Sequence, residues 1–137
     1  GLLYIENKFY DDAEMFFKKA EKFNPLSSAT LYYQCIAKLR GRRPGELNVS
    51  EIYECERLIK AAISIDPTNA EYIFLWALIK EDFFDFHSLK TEPPNFINLV
   101  KAAMKEKIRP VELKYLLRHI PVTDGVVFES IIKICPI

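Results

Sequence analysis

The chain has 137 residues, 50% of them apolar and 13% aromatic, with 19 lysines and arginines set against 19 aspartates and glutamates. Disorder needs low hydrophobicity with high net charge, and bulk polyanion binding goes with a strong basic excess, so both are excluded, while this length predicts one domain with a real core. Three cysteines without CxxC spacing predict neither a disulfide framework nor a four-ligand zinc site, and the longest apolar run, Tyr72 to Ile79, is far short of the roughly 20 residues of a membrane helix.

Only four glycines are present, and apolar residues recur at three- and four-residue spacing, which predicts an all-α chain. From Asp11 to Phe23, the residues Ala13, Phe16, Phe17, Ala20 and Phe23 make one stripe, with Glu14, Lys18 and Lys22 opposite. Leu31 to Leu39 is a second helix, ended by a loop from Arg40 to Gly45 where glycine and proline oppose continuation. Asn48 to Glu51 has capping-box spacing and opens Ile52 to Ile65; Thr68 to Glu71 repeats the device and opens a long apolar helix through Ile73, Phe74, Trp76, Leu78 and Ile79. Beyond it, helical spacing puts Asp82 and Asp85 on a solvated stripe and Phe83 and Phe86 on a packed one. Glu92 to Asn95 punctuate before Phe96 to Lys107, Arg109, Pro110 and Glu112 introduce a shorter helix ending near His119, and a last helix runs from about Asp124 to Ile134.

The segments from Phe16 to Glu21, Leu58 to Ile63 and Leu99 to Met104 align without gaps, and each is followed shortly by proline, at Pro25, Pro67 and Pro110. Ala13, Phe17, Ala20 and Pro25 follow the A-x3-F, alanine, proline pattern, and Cys55, Ile59, Ala62 and Pro67 follow it with Cys for Ala and Ile for Phe. A looser third copy holds Phe96, Val100, Ala103 and Ile108, and Leu31, Gln34, Cys35 and Lys38, then Ile73, Trp76, Ala77 and Lys80, take the first-helix positions. In these residues the chain resembles the tetratricopeptide repeat family over about residues 1 to 108. The resemblance implies a right-handed α-solenoid of about three helical hairpins, with residues 109 to 137 as capping helices. Gly1 and Tyr4 then fall at the glycine and tyrosine of a truncated first helix, so the chain is expected to be a fragment of a longer protein. Cys35 and Cys55 are expected to be packed near neighbours in one hairpin.

No GxSxG, HExxH, Walker or GxGxxG pattern occurs, and neither His87 nor His119 has a ligand-spaced partner, so no enzyme activity, cofactor or metal is expected. The N-terminus lacks a signal peptide's basic region and apolar core, which predicts a soluble cytoplasmic domain. The resemblance implies a concave groove lined by first helices, here including Leu2, Ile5 and Glu81. Within it Tyr32, Tyr33, Ile36, Leu39, Arg40, Phe74, Leu78 and Asp82 are the candidate residues for a protein or peptide partner. Simple packing between repeats is the competing role for these side chains. The family's carboxylate-clamp places hold Leu2, Tyr33, Glu71 and Leu75, so acidic C-terminal peptides should bind poorly. Nucleic acid and membrane are not expected partners. Two alternatives stay open: a regulatory domain of a larger enzyme, and RNA binding through Lys38, Arg40, Arg42 and Arg43. The basic loop and the acidic stretch from Glu81 to Asp85 are expected to orient whatever binds between them. The apolar ending Ile131, Ile132, Ile134 and Ile137 fits a cap, a contact with another chain or a truncation.

Overall fold

The computed structural model describes residues 2–136, and these form eight α-helices without a strand. They are α1 (Leu2–Glu6), α2 (Tyr10–Phe23), α3 (Ser28–Leu39), α4 (Val49–Ile65), α5 (Ala70–Ile79), α6 (Phe96–Met104), α7 (Pro110–His119) and α8 (Val126–Ile134). The all-helical expectation is met. Gly1 and Ile137, named above in the truncated first helix and the apolar ending, lie outside the described residues.

Side-chain caps account for four of the eight helix starts, at Ser27, Asn48, Asn69 and Asn95. Ser27 accepts from the Thr30 N–H, and Asn48 and Glu51 form the expected reciprocal capping box on α4. The second box is not made: Asn69, not Thr68, caps α5 by accepting from the Tyr72 N–H at 3.2 Å, which leaves Glu71 free for another contact. Asn95 caps α6, which ends at Met104 rather than Lys107. Pro110 then opens α7 at a position where a missing N–H costs nothing, and Arg109 before it is extended, as a residue preceding proline prefers.

Below α5 the helix widens into a π-helical segment, Lys80–Asp85, with the Phe86 N–H bonding to the Glu81 carbonyl at 3.1 Å. An i→i+5 turn breaks the 100° periodicity on which the face assignment above rested. Asp82, Phe83 and Phe84 are buried, whereas Asp85 and Phe86 are exposed, so the expected Asp82/Asp85 and Phe83/Phe86 stripes are both overturned. Three consecutive charged side chains here each hold a different segment. Lys80 Nζ donates to the Glu92 and Pro94 carbonyls at 2.5 and 2.6 Å and lies over the Trp76 ring, and burial pulls its pKa down. Glu81 accepts from the Val126 and Val127 N–H groups at the start of α8. Asp82 holds the loop before α4.

Sequence neighbours pack on one another from α1 through α6; α7 and α8 then return onto α5, and α8 also meets α6. Ile5, Cys35, Phe74, Leu113, Leu116 and Ile131 belong to one continuous apolar core. Within it α3 and α4 approach as expected at the two cysteines, Cys35 Sγ lying 3.5 Å from the Cys55 carbonyl oxygen. Burial pushes the Cys35 thiol well up, which makes it a packing residue rather than a nucleophile. Of the apolar ending, Ile131 and Cys135 are buried and Ile132 and Ile134 half-buried. No helix among the described residues is long and apolar enough to cross a membrane.

Candidate functional site

Most of the candidate groove residues are not open to a partner. Tyr32, Ile36, Leu39, Phe74, Leu78 and Asp82 are all buried, Tyr33 is half-buried, and only Arg40 is exposed. Leu2 is exposed, Ile5 is fully buried and Glu81 is half-buried. The chain covers this side itself, with α7 against α5 and Tyr33 and with the Arg43–Gly45 loop on Asp82.

Three contacts fix the path of α7. At its start Arg109 donates to the buried Glu71 carboxylate at 2.8 Å. In its middle the Tyr115 ring meets Tyr33 of α3 edge-on at 5.9 Å. At its end His119 Nδ1 lies 3.0 Å from the hydroxyl of Tyr10 on α2. The helix thus runs from the N-terminal end of α5, past α3, to the start of α2. Leu113, Leu116 and Ile120 are its fully buried anchors, each contributing roughly 1.5–3 kcal/mol.

Two polar atoms of α7 work against that docking. Tyr115 Oη and His119 Nε2 are buried without a hydrogen-bond partner. A buried orphan group costs about 1–3 kcal/mol, so each offsets about as much as one leucine anchor contributes. Burial lowers the His119 pKa, with Arg118 adding to the effect, and raises that of Tyr115; both side chains are neutral in the fold.

Beside the start of α7 lies a cavity of about 270 Å³ bounded by Tyr32, Tyr33, Tyr72, Glu71, Arg109 and Glu112. Tyr32 and Tyr72 pack ring to ring at 4.6 Å, and the Tyr72 hydroxyl lies 3.2 Å from Ser28 Oγ. Burial raises the pKa of Tyr32, Tyr33 and Tyr72 alike, so this wall is aromatic and hydroxyl-bearing but uncharged.

Each cation of the basic loop has a carboxylate partner. Lys38 lies 3.6 Å from Glu14, Arg40 2.9 Å from Asp11 and Arg42 3.1 Å from Glu51. Arg43 reaches Asp82 at 2.5 Å and Asp124 at 3.1 Å. Between the basic loop and the acidic stretch the link is the Arg43–Asp82 pair, the other three cations being held by Glu14, Asp11 and Glu51. Asp82 also accepts from the Gly45 N–H at 2.7 Å, and a Cβ on Gly45 would stand 2.7 Å from the Asp82 carbonyl oxygen, so only glycine lets the loop come this close. His87 Nε2 lies 3.0 Å from the Gly45 carbonyl and Asp85 is exposed, so these residues do not converge with Asp82 on a common point.

The docking of α7 is the feature that sequence reasoning missed. Leu113, Leu116 and Ile120 marked an amphipathic helix, but nothing in their spacing says which surface they cover. No family model, curated protein or solved structure matches the chain.

Proposed function

We propose that this chain is a non-catalytic protein-recognition domain, a tetratricopeptide-like solenoid of helical hairpins that takes an amphipathic helix of a partner on the side where α7 lies. The single observation behind this reading is α7 itself: a helix with apolar anchors and polar ends sits against α3 and α5, and its two orphan polar atoms make it a replaceable occupant. Tyr33 and the tyrosine-lined cavity would give a partner helix its first foothold. The three free cysteines suit a reducing, cytoplasmic setting. The RNA alternative is disfavoured because every cation of the basic loop is already paired with a carboxylate.

A peptide with the sequence of residues 109–122, labelled with fluorescein, tests the proposal by anisotropy. Leu116→Asp in the full chain should release α7 and raise peptide affinity by about tenfold or more over wild type, since one buried anchor is worth that much. Adding Tyr33→Ala should reverse part of the gain. A Leu116→Asp chain that keeps its helical circular dichroism yet binds no peptide would count against the proposal.

A further inference from the structure

From the N-cap of α2 along its outer side, Phe9, Phe16 and Phe23 recur every seven residues and are 57, 51 and 89% exposed. Seven residues are almost two full helical turns, so the three rings form one stripe about 21 Å long. An uncovered row of three phenylalanines is a large apolar surface for a small protein. Between the rings lie Asp12 and Lys19, both exposed and, among the described residues, in no ion pair. On its other side the small, half-buried Ala20 leaves room for a close helix approach.

The order Phe, Asp, Phe, Lys, Phe is self-complementary in one direction only. Two α2 helices laid antiparallel about a two-fold axis at Phe16 bring Phe16 onto its own copy and Phe9 onto Phe23. Asp12 and Lys19 lie to the same side of the stripe, so the same operation puts each aspartate beside the other copy's lysine, twice by symmetry. A parallel two-fold pair would instead put the Asp12/Lys19 sides of the two copies on opposite flanks of the seam, so that no aspartate meets a lysine. We infer that α2 is a homodimerisation surface, pairing two copies of this chain antiparallel through Phe9, Phe16 and Phe23, with Asp12–Lys19 ion pairs setting the direction. This surface is separate from the side covered by α7, and the inference does not depend on the proposed function.

Sedimentation velocity of the full chain over a range of loading concentrations tests it. Wild type should show a reversible monomer–dimer equilibrium. Phe16→Glu, at an exposed position and therefore without effect on helical circular dichroism, should weaken the dimer by about 30-fold or more. Asp12→Lys and Lys19→Asp should each weaken it about fivefold, and the double reversal should restore it. A wild-type chain that stays monomeric at the highest loading would overturn the inference and leave the stripe to a different protein. A dimer indifferent to Phe16→Glu, or not restored by the double reversal, would overturn it equally.

Discussion

His119 shows how a single side chain's setting decides what it does. Its spacing gave it no chemical role, and the fold uses it as a buried neutral clamp between α7 and Tyr10. The charged and titratable groups around it are Tyr10, Tyr115, Arg118, Glu6 and Lys8, and burial with Arg118 outweighs the help of Glu6, so the folded pKa lies below the ordinary histidine value. Near pH 7 neither state binds the proton. As the pH falls through the unfolded value of about 6.5, the unfolded chain takes a proton that the fold refuses, so stability drops until folded His119 itself protonates. Thermal melts should therefore show Tm falling by a few degrees between about pH 7 and pH 5, and His119→Gln should flatten that part of the profile. An unchanged slope in the variant would assign the acid sensitivity elsewhere. Asp82 carries the opposite lesson. Its sequence context, among other carboxylates on a nominal helix, suggested solvent, because the partner that neutralises it, Arg43, is 39 residues away.

At the scale of elements, the helices were largely legible because their signals are local. The capping box of Asn48 and Glu51 and Pro110 at the start of α7 act within a turn or two, whereas the α2 stripe is corrected: Phe16 and Phe23 are exposed and Glu14 is buried. The π-helical segment was not legible, since a pattern read at 3.6 residues per turn carries no information about a wider one. Its consequence is structural: Glu81 serves as the cap that α8 lacks in its own sequence, and Gly125 makes room for it, with a φ of 98° and a Cβ position only 2.7 Å from Glu81 Oε1. Glu81→Ala should leave the first two amides of α8 without acceptors and cost about 1–2 kcal/mol in urea unfolding. A loss within a few tenths of a kcal/mol would mean that solvent replaces the carboxylate at no cost.

For the whole molecule, the packing of each helix on its sequence neighbour was the legible part of the architecture. The family resemblance put Cys35 and Cys55 at small-residue positions of two adjacent helices, and those two residues do meet. The return of α7 across α5 and α3 toward α2 did not follow, because amphipathicity states that a helix must be covered and is silent about the cover. That return reorganises the functional account. The residues expected to line an open groove are mostly core, and the exposed Arg40 and the half-buried Tyr33 beside the tyrosine cavity are what remain accessible. The central claim is that α7 can leave this face while α3, α4 and α5 stay folded. Native-state hydrogen exchange of the full chain tests it most directly. The amides of α7 should exchange together through an opening well below the global unfolding free energy, and Tyr115→Phe, by removing an orphan hydroxyl, should raise that opening energy. Exchange of α7 only in step with the amides of α3 and α5, through global unfolding, would contradict the account.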